Sequence, residues 1–555
     1  MKSHYRKLLE IADRGVEKTL KRQCLDAMDP EYGGFPEMRK GFSEPANVIG
    51  TAVNLAVMYY NEDSKHHLDS RLLNAAGLAM DYGLKKQHED GTIDLVETNF
   101  HCASTIGFSI QGVVPGYRVI KKYSSHSPLE DEFQSKVLKY IEKSADGMKA
   151  GGFHTPNHRW VLASALALCS NELGRKDLLE DIDLYLDEGI DCNEYGEWTE
   201  RSAGIYNKVN NDGMIILAEE LGKWELLDHV GRNLYMMFTY LEPDDSLFTM
   251  NSHRQDFGQQ MYPMRYYENY LMTAHYTKNK HFAYMADYLF NMVNDFPNDA
   301  GPLGAANLPT CMHRYMLHDF LRENELEKEN FDWTHYEKFY GESNIVRKRC
   351  GDSITTIMGG NPSFLRFQQG RNVVMLRYAA SFFGTEGMFT PDSIAPINGG
   401  YRLHYRSDWG YVRPLGRPDK PVKDGHTNIE HRERVNMQVF DVDIDIYPMD
   451  DGVRVELDSK GVEDLPCKLE LIFQPGGFFD STQAEFKASE DQHIMVKFGG
   501  FKYMLGNDII EVDGAFAQTN YHAELRGSLP PVPKSFTVYF TGWSPTKRTI
   551  LIKGK

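Results

Sequence analysis

Six loops in the first 310 residues share one composition. They are Tyr32-Gly33-Gly34-Phe35-Pro36, Asp90-Gly91-Thr92-Ile93-Asp94, Gly151-Gly152-Phe153-His154, Tyr195-Gly196-Glu197-Trp198, Asp245-Ser246-Leu247-Phe248 and Ala300-Gly301-Pro302-Leu303. They recur roughly every 45–60 residues, the period of a repeat built from helix pairs. The intervening stretches carry apolar residues at helical spacing, as in Leu72, Leu73, Ala76, Ala79 and Tyr82. A single helix pair cannot bury its apolar face, so successive pairs must stack into a ring or solenoid. Short connections make each pair antiparallel. Six pairs closing around one axis would bring all six loops to one end, around one cleft. The expected N-terminal fold is an incomplete (α/α)6-type toroid.

After about residue 350 the period changes from helical to alternating. Phe440-Asp441-Val442-Asp443-Ile444-Asp445-Ile446-Tyr447 alternates strictly, and an Asp450-Asp451-Gly452 turn leads to Val453-Arg454-Val455-Glu456-Leu457. Further strands are predicted at Phe364–Phe367, Val373–Tyr378, Leu469–Phe473, His493–Phe498, Phe536–Phe540 and Ile550–Ile552. Short alternating strands separated by turns define an antiparallel β-sandwich. The domains read as 1–340 and 350–555, with the switch inside Phe331–Asp352.

The formal charge of −18 argues against a general nucleic-acid surface. An acidic ligand would therefore need a locally positive pocket. No apolar run is long enough to span a membrane. The first residues lack the apolar core of a secretory signal, which gives the expectation of a cytoplasmic protein or one whose signal has been removed. Seven scattered cysteines with no CxxC spacing suggest reduced thiols. The oligomeric state is read as monomer or homodimer.

The sharpest chemical constellation is Thr155-Pro156-Asn157-His158-Arg159-Trp160 followed by Glu200-Arg201-Ser202-Ala203-Gly204-Ile205-Tyr206-Asn207. Both stand at loop-to-helix junctions of neighbouring repeats. A helix N-terminus favours an anion, and a uronic acid supplies one. β-Elimination at a uronate requires loss of the C5 proton, which becomes acidic once the adjacent carboxylate is neutralised by donors such as Asn and His. His and Tyr suit the base and acid roles. The structural alternative is an Asn N-cap beside a satisfied histidine.

Adjacent Asn157-His158, Tyr206 in the next repeat and a following sandwich resemble the heparinase II/III-like polysaccharide lyases and the oligoalginate lyases. The resemblance covers the layout of nearly the whole chain. It implies that Asn157 and His158 neutralise the uronate, and that Tyr206 and His158 share proton transfer, Tyr206 giving its proton to the leaving oxygen. It also implies a uronate-containing oligosaccharide or polysaccharide as substrate. Gly400-Tyr401-Arg402-Leu403-His404-Tyr405-Arg406-Ser407-Asp408-Trp409-Gly410 resembles the sandwich strand that reaches the cleft in that group. A sandwich histidine joins the site there, and His404, His426 and His431 compete for that role. The group's metal-binding histidine pattern is not evident here, so no cofactor is expected, with a structural divalent metal left open.

Other loop residues are candidates for substrate binding: Asn99 and His101, His253 and Arg254, and Trp198 with Trp160 and Phe248 as rings for sugar stacking. Each has a structural alternative: a helix cap for Asn99, an ion pair with Asp256 or a neighbouring carboxylate for Arg254, and core packing for the aromatics. A second functional reading is an inverting glycosidase, including the unsaturated-uronide hydrolase type, using carboxylates such as Asp94 and Glu200. A third is a non-catalytic carbohydrate-binding protein on the same scaffold.

Overall fold

A computed structural model describes residues 2–294, 311–323, 326–416, 429–520 and 524–555. The loop Ala300–Leu303 and His426 lie outside these residues. The chain divides into two compact units, Met1–Leu241 with Asp245–Phe331, and Glu242–Asp244 with Asp332–Lys555.

The first unit is helical, with helices α1 (Lys2–Arg22), α2 (Pro45–Tyr60), α3 (Ser70–Lys86), α4 (Ala103–Tyr123), α5 (Pro128–Ala150), α6 (Pro156–Leu173) and α7 (Leu179–Asp187). Then come α8 (Tyr206–Leu221), α9 (Leu227–Tyr240), α10 (Tyr267–Thr277), α11 (Lys280–Asn294), α12 (His313–Leu317) and α13 (Asp319–Glu323). Helix α1 was not foreseen, and the last two, α12 and α13, are short and separated at His318. Helices α2, α4, α6 and α8 pack side by side, and each packs on the helix that follows it. Helix α12 packs back against α4. This is the helical toroid expected from the repeat.

The inner helices are buried nearly all round, α6 through residues such as Val161, Leu162, Ala165, Leu166 and Cys169. Two neighbouring inner helices stop in the same way. Gly174 after α6 and Gly222 after α8 both adopt the left-handed conformation that ends a helix without a Cβ clash. A second repeated device sits in the loops. Gly91 and Gly196 have φ of +83° and +91°, and a Cβ on either would lie 2.0 Å from the Lys143 carbonyl oxygen and 2.3 Å from that of Arg232. The loop glycines therefore let each loop lie directly on the backbone of an outer helix, α5 or α9. At the far ends of the inner helices, Arg118 of α4 binds Glu220 of α8 at 2.6 and 2.9 Å and Glu172 of α6 at 3.1 Å. Among the described residues no helix is long and apolar enough to cross a membrane.

The second unit is a β-sandwich. Its larger sheet has nine strands, in the spatial order Glu485–Lys487, Phe478–Ser481, Phe498–Leu505, Asp508–Phe516, Thr546–Gly554, Gly452–Gly461, Arg434–Pro448, Gly400–Val412 and Ile394–Ile397. The smaller has eight, ordered Gln492–Met495, Phe536–Ser544, Leu465–Phe473, Asn372–Ala380, Leu365–Gln369, Ser353–Met358, Ile345–Cys350 and His335–Tyr340. All neighbours are antiparallel except Gln492–Met495, which runs parallel to Phe536–Ser544. The alternation at 440–447 is realised: Phe440, Val442, Ile444 and Ile446 are fully buried, and Asp441, Asp443 and Asp445 occupy the other face.

Two strand expectations change. The single strand at His493–Phe498 becomes two, one in each sheet, with the chain crossing at Val496 and Lys497. The strands at His335–Tyr340, Ile345–Cys350 and Ser353–Met358 were not foreseen, and the first places residues 332–340 with the sandwich. Buried charge hides this hairpin's apolar pattern. Arg347 is fully buried, and with Arg366 it holds the buried Glu242 carboxylate at 3.3 and 2.9 Å. Burial alone would push the Glu242 carboxyl up, but the two guanidinium groups bring it below its ordinary value.

Candidate active site

Three segments of the helical unit converge on one buried carboxylate. Helix α6 opens with Thr155 extended at φ −135° and ψ 148° and with Pro156 in the first turn, so Asn157 and His158 occupy that turn. Thr155 makes no capping bond. The cap comes from the neighbouring repeat. The Asn157 backbone N–H donates to Glu200 Oε2 at 3.2 Å, and its side-chain Nδ2 donates to both Glu200 oxygens at 3.0 and 2.8 Å. A carboxylate at a helix N-terminus is favoured by the unpaired amides and the helix dipole. Arg254 approaches the same carboxylate, Nε to Oε1 at 3.3 Å. Its guanidinium carbon lies 4.8 Å from the centre of the Tyr206 ring. Burial pushes the Glu200 carboxyl above its ordinary value, and Asn157 and Arg254 only partly oppose it.

The loops that carry these groups are braced together. The His253 amide donates to the Glu200 carbonyl at 3.0 Å. Buried Asp256 accepts from Ser202 Oγ at 2.8 Å, Ser252 Oγ at 2.5 Å and the Gly204 amide at 2.8 Å. The Ser202 hydroxyl in turn accepts the Tyr206 amide at 3.1 Å, fixing the first residue of α8. A second buried carboxylate, Glu197, accepts from Tyr240 Oη at 2.9 Å and Asn251 Nδ2 at 2.8 Å, with Arg201 Nε 3.6 Å away. Glu200, Glu197 and Asp256 thus order the loops from beneath. The sequence reading weighed Glu200 only as a hydrolytic carboxylate and did not identify it as the partner of Asn157. The signal was its place at the loop preceding α8, one repeat after Asn157.

His158 is half-buried. Its Nδ1 is buried without a hydrogen-bond partner. The ring meets Phe108 edge-on at 5.8 Å and His154 edge-on at 4.9 Å. Burial, and then the charges of His154 and Arg254, lower its pKa from 6.5 to about 4. The imidazole is therefore neutral at neutral pH. The unfolded ring takes up protons from about pH 6.5 downward and the folded ring only near 4, so this group lowers folding stability as pH falls through that window. Nuclear magnetic resonance of the ring should accordingly show no titration between about pH 5 and 8, and Arg254→Gln should raise the midpoint. A His158 midpoint near its ordinary value would contradict this environment.

Asn157, His158, Tyr206 and Arg254 are brought together, with His253 exposed on the same braced loop. One expectation about them changes: the Asn157 amide nitrogen is engaged by Glu200, and its Oδ1 is left buried without a partner. Trp198 is a correction. It is 0 % exposed and its indole N–H donates to Asn211 Oδ1 at 3.2 Å, so it is core and offers no face to a sugar. Trp160 and Phe248 are buried in the same way.

Asn99 and His101 lie on a small hairpin, Ile93–Leu95 with Asn99–Cys102. His101 has φ +48°, stacks on His88 at 3.9 Å and bonds Asp90 at 2.7 Å. Among the described residues, neither Asn99 nor His101 has a hydrogen bond, ion pair or ring contact with Asn157, His158 or Tyr206. Asp94 accepts from His88 at 2.8 Å and from the His101 amide at 2.7 Å. Burial pushes its carboxyl up, but these donors bring it below its ordinary value, the wrong direction for a general acid.

His404 belongs to the sandwich, directly across from Asp443, with Nδ1 2.9 Å from that carboxylate. His404, Asp441 and Asp443 are the group among the described residues with metal-like spacing, their ligand atoms within 4.8 Å of one another. Arg406 and Lys460 pair with the two carboxylates, which accounts for them as a cross-strand charge ladder. His431 lies in the short turn Ile429–His431 and is exposed.

No protein-family model matches the chain. No curated protein matches it by sequence. Among solved structures, a Paenibacillus xanthan lyase matches with a TM-score of 0.60 at 9% identity, covering 98% of this chain and 56% of that one. A chondroitin AC lyase of Streptomyces coelicolor, solved with chondroitin sulphate, matches with a TM-score of 0.55 at 11% identity, covering 99% and 79%. A heparinase III matches at 0.51 and 10%, covering 91% and 76%. The chain has the fold of these polysaccharide lyases, helical toroid and sandwich together, and spans little more than half of the xanthan lyase.

Proposed function

We propose that this chain is a lyase that cleaves a uronate-containing glycan by β-elimination. The observation that carries the reading is the convergence of Asn157, His158, Tyr206 and Arg254 around Glu200 in a fold shared with polysaccharide lyases. Neutral His158 supports it further. Its Nδ1 is buried with nothing to bond, and an unpaired buried N–H costs more than an unpaired lone pair. The ring proton therefore belongs on Nε2, the nitrogen left to meet a ligand. From there it donates to the substrate carboxylate and stabilises the charge that builds as C5 loses its proton.

Tyr206 then serves both transfers. With its own proton given up to solvent, the Tyr206 oxygen takes the C5 proton, and the C5–H electrons form the C4–C5 double bond. The C4–O bond breaks, and the phenol returns the proton to the departing oxygen. Arg254 sets positive charge over the Tyr206 ring, where negative charge develops. Asn157 and Glu200 act by holding Arg254 and the start of α6 in place. Hydrolysis has less support, because it needs a protonated acid paired with a base. Glu200, the carboxyl that burial pushes toward the acid form, is 3 % exposed and both its oxygens face Asn157 and Arg254, so it presents no proton to a glycosidic oxygen. The chemical form of the product tests the reading: elimination leaves an unsaturated uronate, and hydrolysis adds water across the cleaved bond.

A further inference from the structure

The rings exposed beside His158 are not Trp160, Trp198 and Phe248, the ones first considered for sugar stacking. Phe108, in the second turn of α4, is 41% exposed and stands edge-on to the imidazole. Phe153, just before α6, is also 41% exposed and leans on Tyr185 of α7 at 6.0 Å. Its neighbour His154 is exposed and also meets His158 edge-on, at 4.9 Å. The two segments are held close. A Cβ on Gly151 would lie 2.3 Å from that of Ala103, so the stretch carrying Phe153 and His154 rests on the first turn of α4. Single exposed phenylalanines are common on protein surfaces. Two open rings, Phe108 and His154, bordering one half-buried imidazole, with Phe153 adjacent to His154 in the chain, are a different case, since clustered exposed apolar groups mark binding surfaces.

We propose that Phe108, Phe153 and His154 form a stacking platform for a pyranose ring of the bound glycan, seating a sugar next to His158. A pyranose presents an apolar C–H face that an aromatic ring can cover while the hydroxyls stay hydrated. Arg254, with its charge, and the His253 imidazole belong to the loop before α10, and the rings to the start of α4 and the approach to α6. The sugar is thus gripped by its carboxylate from the first set and by its apolar face from the second. This rests on the lyase reading for the identity of the sugar, and not for the existence of the platform.

The test compares Phe108→Ala, Phe153→Ala and Phe108→Tyr, with calorimetric binding of a uronate hexasaccharide and a neutral hexasaccharide run beside steady-state kinetics. Each alanine should raise KM and weaken binding about tenfold with kcat changed by less than about threefold, and Phe108→Tyr should stay near wild type. If the protein eliminates uronates and neither alanine variant alters KM, the platform is wrong and the lyase reading stands. If no uronate is cleaved but the alanine variants lose saccharide binding that the wild type shows, the platform stands and the lyase reading falls. Absence of saccharide binding by the wild type overturns the platform.

Discussion

Tyr206→Phe should lower turnover by about a thousandfold while leaving the thermal midpoint unchanged. The substitution removes one oxygen from a half-buried ring. It keeps the ring face that Arg254 covers and the backbone amide that Ser202 anchors. Among the described residues no hydrogen bond to the Tyr206 hydroxyl holds the loops together, since the brace runs through Asp256, Ser202 and Ser252. Loss of activity without loss of stability would therefore isolate the phenolic oxygen, which takes and returns the proton, as the chemical requirement. Substrate binding should survive, so the variant should bind oligosaccharide with near-normal affinity. Turnover within about tenfold of wild type would move the proton transfer to another group.

Glu200→Ala should have the other large effect, and it should cost both stability and activity. Glu200 is 3 % exposed and receives three hydrogen bonds from Asn157 and the charge of Arg254. Removing it strands the buried Nε edge of the Arg254 guanidinium and two donors of the fully buried Asn157. Breaking a buried ion pair in this way typically costs about 3–5 kcal/mol. Arg254 would lose its anchor over Tyr206, so kcat/KM should fall by about a hundredfold or more. Glu200→Gln should sit between: it keeps one acceptor for Asn157 but not the charge facing Arg254. A Glu200→Ala protein with wild-type stability and kinetics would mean that the carboxylate does not organise this cluster.

Much of this architecture was legible before any coordinates, because it rests on local rules. The loop glycines repeat because the loops at Gly91 and Gly196 lie against an outer helix at a distance only glycine tolerates. Strict alternation at 440–447 left one face for the core. Asn157, His158 and Tyr206 could be grouped as candidates because helix starts in successive repeats fall at the same end. What the sequence hid depends on contacts between distant residues. Glu200 reads as a loop acid until its partner 43 positions away is known. Trp198 reads as a sugar-facing ring beside a glycine turn, but Asn211 on α8 accepts its N–H and draws it into the core. Phe108 carries no signal at all, since its exposure beside His158 is decided by how α4 packs on α6. The strand hairpin 335–350 was missed because Arg347 is buried by pairing with Glu242, which lies 105 residues earlier.

The account turns on whether a proton leaves carbon and a carbon–carbon double bond forms. Incubating the protein with a panel of uronate oligosaccharides and following ultraviolet absorbance reads that event directly, because the new double bond is conjugated with the carboxylate. The account predicts a rise in absorbance with at least one uronate for the wild type and none for Tyr206→Phe. New reducing ends released from a uronate substrate with no accompanying absorbance would contradict it.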